Sequence, residues 1–321
     1  MNLSVSPNTV KLITRILGIL VLVLALLFIL TWTSTVKCKS VPFWCNAYYF
    51  IMGKPEALIV YGDSGLGDPD LLADALRNPN LVGVYAPMLH IDSVNPGNLK
   101  DYQLVIVDRC KEMSSAKIKM FLDYANTGGN LVWTGDSGTE AENEEDFLRE
   151  GEYSLDSNSS GFINPWARKY DGRMVMLNKV LSVNYKTNYC DLKDCHKENE
   201  MYVGMLNPVS RKNALVYGFS PIKLEIIDGW DFAIVEPLSE GTSTTIMTID
   251  FGSNLVEGET NYGNNLPIIM GNAKSSVVGW KIGENVFYYA IPPENFLNPY
   301  LPEEKHYGLF VRNMYNGIIY G

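Results

Sequence analysis

Three aspartates and two serines stand where apolar runs end, the positions at which side chains on a sheet edge can do chemistry. Asp63 and Ser64 follow the run ALIVY (Ala57–Tyr61), Asp108 follows LVIV (Leu104–Val107), and Asp136 and Ser137 follow Asn130–Trp133. Carboxylates grouped with hydroxyls suit oxygen coordination of a hard cation such as Mg²⁺ or Ca²⁺. The same residue types are favoured in tight turns and at helix N-caps, where no ligand is needed. Turn chemistry is the simpler account, so these five are candidate ligand-binding residues with no metal or cofactor expected. Bases are scarce, since the chain has only His90, His196 and His306.

Five cysteines fall into two close pairs, Cys38 with Cys45 and Cys190 with Cys195, and a fifth, Cys110. Local pairs in polar loops suit disulfides in an oxidising compartment; reduced thiols that happen to be neighbours are the alternative. Neither pair has the two-residue spacing of a zinc knuckle. Cys110 ends an apolar strand and reads as a small buried residue. Asn158-Ser159-Ser160 is a glycosylation sequon, which also belongs to an external domain.

The elements that must hold these residues alternate. The run Ala57–Tyr61 predicts a strand covered on both faces. A helix begins at Pro69 with Asp68 as N-cap. Leu81–Tyr85 and Leu104–Val107 predict further strands. Ser114 or Ser115 caps a helix with Ile118, Phe121, Leu122 and Ala125 on its apolar face, and Gly128-Gly129 stops it before a fourth strand, Asn130–Trp133. Strand–helix alternation predicts an α/β fold, a flavodoxin-like parallel sheet with helices on both faces. Right-handed crossovers then bring Asp63, Asp108 and Asp136 to one carboxyl edge, where ligands of such folds sit. A β-rich C-terminal portion follows, with runs at Ala214–Phe219, Phe232–Val235, Thr244–Ile249 and Leu266–Met270. A hairpin of Val277–Ile282 with Asn285–Ile291 and a last helix carrying Leu309, Phe310, Met314 and Ile318 close the chain.

Ahead of this domain, Ile16–Trp32 reads ILGILVLVLALLFILTW, and no charge occurs before Lys37. At about 1.5 Å per residue, Ile16–Val36 reaches across a hydrocarbon core of about 30 Å. A cleaved signal peptide would have a shorter apolar core and a small-residue cleavage site. The expected organisation is a tail (1–15), one transmembrane helix (16–36), a juxtamembrane segment (37–54) and an α/β domain (55–321). Phe43, Trp44, Tyr48, Tyr49 and Phe50 suit an interfacial aromatic belt. Flanking charge does not set the orientation; the cysteine pairs favour a single-pass cell-membrane protein with an extracytoplasmic domain.

Charge is divided just as sharply. Residues 1–54 hold five basic residues and no acidic one, leaving 21 basic and 36 acidic residues and a net of −15 on the remainder. Such a domain repels phosphate backbones, which excludes nucleic acid as a partner.

The segment Leu99–Gly138, with its order of strand, helix, Gly-Gly, strand and sharp turn, resembles the class I glutamine amidotransferase-like superfamily. Its noncatalytic branches are the ones it looks like, the ThuA-like domains and the trimerisation domain of some β-galactosidases. The chain end, GWKIGENVFYYAIPPE (Gly279–Glu294) followed by a helix, is similar to that superfamily's closing hairpin and His-Pro-Glu motif. The resemblance implies a cysteine nucleophile in a Gly-x-Cys-x-Gly turn and a His–Glu pair to activate it. Here the turn reads Thr134-Gly135-Asp136-Ser137-Gly138 and the closing motif Pro292-Pro293-Glu294. Asp136 and Pro292 replace the nucleophile and the base, and Glu294 alone remains. Tyr61-Gly62-Asp63-Ser64 also resembles the opening block of GDSL-type esterases, with Ser64 as alternative nucleophile. The Asp-x-x-His base and Gly-x-Asn-Asp block of those enzymes are missing. The expectation is a pseudoenzyme that binds a protein or glycan partner, or serves as a subunit of an envelope complex.

Overall fold

The computed structural model describes residues 7–33, 36, 38, 41–153, 161, 163–193, 195, 201–226, 231–238, 243–272, 285–297 and 304–320. Asn158, His196 and the strand expected at Val277–Ile282 lie outside them. The chain divides into two compact units, one running to Lys54 and one from Pro55 onward.

The first unit holds α1 (Pro7–Trp32) and α2 (Trp44–Met52). Within α1, Lys11–Trp32 is long and apolar enough to cross a bilayer. The helix begins before Ile16 and ends at Trp32, short of Val36. At its end Thr31 Oγ1 donates back to the Leu27 carbonyl at 2.8 Å and Thr33 Oγ1 to Ile29 at 3.0 Å, so neither hydroxyl is left unsatisfied. Cys38 and Cys45 form a disulfide.

The second unit runs through β1 (Ala57–Tyr61), α3 (Pro69–Arg77), β2 (Met88–His90), α4 (Pro96–Lys100), β3 (Leu104–Asp108), α5 (Ser115–Asn126) and β4 (Leu131–Thr134). It continues with α6 (Glu150–Tyr153), β5 (Ala167–Tyr170), β6 (Arg173–Met176), α7 (Leu177–Leu181), β7 (Val183–Asn188), α8 (Tyr189–Leu192), β8 (Met201–Pro208), β9 (Ile222–Ile226) and β10 (Ala233–Pro237). The long strands β11 (Ser243–Glu257) and β12 (Thr260–Asn272), then β13 (Val286–Tyr289) and α9 (Glu304–Ile319), complete it.

Nine strands form one sheet in the order β2-β1-β3-β4-β13-β12-β11-β8-β9. The first five are parallel to their neighbours and the remaining pairings are antiparallel. Ile59, Val105, Ile106, Val107, Val132 and Trp133 are all fully buried, as continuous apolar strands in a covered sheet must be. Phe121 of α5 packs edge-on to Trp133, while α9 buries Phe310, Met314 and Ile318. Asp68 caps α3 by accepting from Leu71 N–H, and Ser114, not Ser115, caps α5 through Lys117 N–H.

Two expected strands differ. The second falls at Met88–His90 instead of Leu81–Tyr85, because Leu81 and Val82 turn back onto Asn78 and the ladder to β1 starts only where Tyr85 and Pro87 carbonyls accept from Ala57 and Ile59. Ala214–Val216 is a single 3₁₀ turn, nucleated by the Asn213 side chain accepting from Leu215 N–H. There a local side-chain bond outcompetes strand propensity.

Candidate functional site

The carboxyl edge of the parallel strands is closed by its own loops. Beyond β1, β3 and β4 the loops turn but keep pairing with one another: Gly62 N–H donates to Arg109 O, Lys111 N–H to Ser64 O, Arg109 N–H to Leu66 O, Gly138 N–H to Cys110 O and Glu140 N–H to Lys111 O. No helix starts at the turn after β4; the next helical turn in the chain is the 3₁₀ turn Glu144–Asp146.

The sharp turn itself carries no nucleophile. A strand-to-helix elbow displays its reactive side chain from a strained backbone conformation. Here that conformation belongs to Gly135, at φ 53°, and a Cβ at Gly135 would come within 2.8 Å of Leu66 Cβ. Asp136 is 1% exposed and fully engaged. Its Oδ1 accepts from Leu66 N–H at 2.8 Å and its Oδ2 from Asn188 Nδ2 at 3.1 Å. It fastens the β1–α3 loop to the β7–α8 junction. Ser137, also buried, accepts from Cys110 N–H through Oγ, and its carbonyl accepts from the indole N–H of both Trp133 and Trp166.

Asp108 and Glu294 meet in a dry pair. Both are fully buried. Asp108 Oδ1 accepts from Thr134 Oγ1 at 2.6 Å, and Glu294 Oε1 accepts from Asp68 N–H at 3.0 Å. Asp108 Oδ2 and Glu294 Oε2, both buried, have no hydrogen-bond partner, so burial favours the neutral form of both carboxyls. Burial pushes the Asp108 carboxyl up to about 7, and the hydrogen bonds from Thr134 and Glu294 temper the rise. Burial first, and then the charge of Asp108, push Glu294 well above the ordinary carboxylate range. Gly67 roofs the pair at φ 116°; a Cβ there would lie 2.3 Å from Asp108 Oδ1. Glu294 sits in the turn Pro293–Leu297, and Pro292 precedes it, buried. Instead of orienting a histidine, Glu294 fixes the loop that ends at Asp68.

Asp63 and Ser64 are separated from these groups by exposure. Both lie on the outer surface of the loop. Asp63 Oδ1 is 3.4 Å from His90 Nε2, while His90 Nδ1 is 3.4 Å from Asp92 Oδ2. His90 Nδ1 also accepts from Asp92 N–H at 3.4 Å, and among the described residues no histidine hydrogen-bonds Ser64. The edge therefore divides the five candidates into a buried set, Asp108, Asp136 and Ser137, and an exposed pair.

The cysteines settle into chemistry of their own. Cys190 and Cys195 are disulfide-bonded, and Asp231 accepts from the N–H groups of Cys190 and Phe232. These three are grouped closely enough for a metal, but both sulfurs are consumed by the S–S bond. Burial lifts Asp231 to about 6. Cys110 is the free thiol; burial and then Asp108 raise it well above its ordinary value, which removes the thiolate that nucleophilic attack needs.

Sequence reading missed Asn188, Arg168 and the Asp108–Glu294 pairing. Arg168 is fully buried, donates to the carbonyls of Gly138 and Glu140, and lies 4.1 Å from the Phe147 ring centre. It lies in a segment with no alignable motif, next to Lys169, so nothing in the sequence set it apart. The pairing had a usable signal: Asp108 ends a parallel strand, and Glu294 holds the one retained position of the closing motif.

No protein-family model matches the sequence, and no curated protein matches it. Solved structures do resemble it. A ThuA-like protein from Bacteroides uniformis is 11% identical, with 82% of this chain aligned to 90% of that one at a TM-score of 0.50. At such identity the likeness is one of fold alone. A glutamine amidotransferase from Thermotoga maritima (11% identity, 83% of this chain and 99% of that one, TM-score 0.43) scores lower. So does a β-galactosidase from Rahnella sp. R3 (16% identity, 84% of this chain and 32% of that one, TM-score 0.48). Neither of these two scores is high enough to support further comparison.

Proposed function

We propose that this chain is a single-pass membrane protein whose α/β domain lies outside the cytoplasm and is noncatalytic, binding a partner protein or a glycan or serving as a subunit of an envelope complex. One observation carries the noncatalytic part. The turn after β4 has glycine at its left-handed residue and commits Asp136 to two structural hydrogen bonds. Retention of α1 as an anchor, against cleavage as a leader, is supported by what its end is bonded to. Trp44 Nε1 donates to Thr31 Oγ1 at 2.9 Å, and Tyr48 rests on Phe28 at 5.2 Å. Cleavage would strip both partners from α2. The two disulfides support an oxidising location.

The test is direct. The purified full chain is assayed for ammonia release from glutamine, for ester hydrolysis and for fluorophosphonate labelling. We expect no turnover or labelling above the heat-denatured control. Labelling of the wild type that vanishes in Ser64→Ala would establish the GDSL-type hydrolase instead. Resistance of the chain to alkaline carbonate extraction from membranes tests the anchor.

A further inference from the structure

The second helix has an outward face that no part of its own unit covers. Phe43, immediately before α2, is 88% exposed, Phe50 is 91% exposed and Ile51 67%. At 100° per residue, Ala47, Phe50 and Ile51 project together, while Cys45 and Tyr48 face the other way and are buried. Large apolar side chains gathered on one face of a nine-residue helix are a contact surface waiting for a partner.

We propose that the partner is the bilayer itself: α2 is an interfacial helix lying in the headgroup layer that α1 crosses, with Phe43, Phe50 and Ile51 turned into the lipid. This rests on the proposed membrane anchor. Three bonds fix α2 beside α1: the Cys38–Cys45 disulfide, the Trp44–Thr31 hydrogen bond and the Tyr48–Phe28 ring contact. Phe28 lies four residues before the end of α1, about 6 Å along its axis. Amphipathic interfacial helices sit about 5–10 Å into the boundary between headgroups and acyl chains, which matches that depth. Charge points to the same occupant. Residues 44–52 carry none, and Lys37, Lys39 and Lys54 flank them with no acidic residue anywhere in 1–54. Such a pattern suits anionic headgroups, whereas the acidic domain that follows does not. Trp44, half-exposed at the start of the helix, adds an amphipathic ring typical of this layer. The disulfide would then act as a staple that keeps α2 at fixed height on the anchor.

The experiment places benzoylphenylalanine, a photo-crosslinker, at position 23, 50 or 217 of the full chain in nanodiscs of mixed neutral and anionic phospholipid. Val23 is in α1, and Tyr217 is an exposed residue of the α/β unit. Adducts are read by mass spectrometry. The expected result is lipid adducts at 23 and 50, each several-fold above 217. Lipid at 23 with none at 50 overturns the interfacial helix while leaving the anchor intact. Lipid at neither position means the anchor itself has failed. Protein adducts at 50 in place of lipid, to a second copy or to another chain, also overturn the proposal, because the face is then covered by protein.

Discussion

Replacing Asp108 with asparagine should make the protein more stable at pH 8 while changing little at pH 4. In the wild type the carboxyl at 108 titrates near 3.8 when unfolded and about 7 when folded. Below 3.8 both states hold the proton and the contribution is complete. Between those values the folded chain keeps a proton that the unfolded chain has released, so raising the pH favours unfolding. Three units at about 1.4 kcal/mol each give about 4 kcal/mol lost by pH 8. Asparagine does not titrate, and its Oδ1 can still accept from Thr134 Oγ1. The Asp108→Asn variant should therefore gain about 2–4 kcal/mol on the wild type between pH 4 and pH 8, or roughly 5–10 °C in Tm for a domain of this size. Asp231, lifted to about 6, adds pH dependence of the same sign to both proteins and cancels in the difference. Differential scanning calorimetry of the full chain in detergent, at intervals from pH 4 to 8, measures it. Parallel profiles for the two proteins would refute a raised carboxyl at 108.

Four further outcomes follow. Gly67→Ala should cost about 2–3 kcal/mol, because its backbone is left-handed and its Cβ would collide with Asp108 Oδ1; denaturant unfolding reads this as a lower midpoint. Asp136→Ala should lose about 2–5 kcal/mol by orphaning Leu66 N–H and the Asn188 amide. The double variant Asp136→Cys with Pro292→His should still release no ammonia from glutamine, since the strained position is Gly135; measurable turnover would show that the turn can be re-armed. Opening the six-residue loop by Cys190→Ser with Cys195→Ser should cost about 2 kcal/mol, and iodoacetamide should reach Cys110 only after unfolding.

Much of this protein was legible before folding was considered. The apolar stretch from Ile16, the charge division at Lys54 and the two cysteine pairs are one-dimensional facts, and spacing alone carries their physical meaning. So are β1, β3 and β4, because a strand covered on both faces must be apolar at nearly every position, as LVIV at 104–107 is; β2 was not, being a short half-buried strand at Met88–His90. The cap of α3 follows from Asp68 for the same local reason, while the structure chose Ser114 over Ser115 for α5. Tertiary structure decided the rest. Glu294 and Asp108, 186 positions apart in the chain, are raised together only because both are buried at the same edge. Asp136 looked like a displaced nucleophile until Leu66 and Asn188 claimed its oxygens. Which side of a turn faces solvent, and which donor reaches which acceptor, depends on distances that no local pattern encodes.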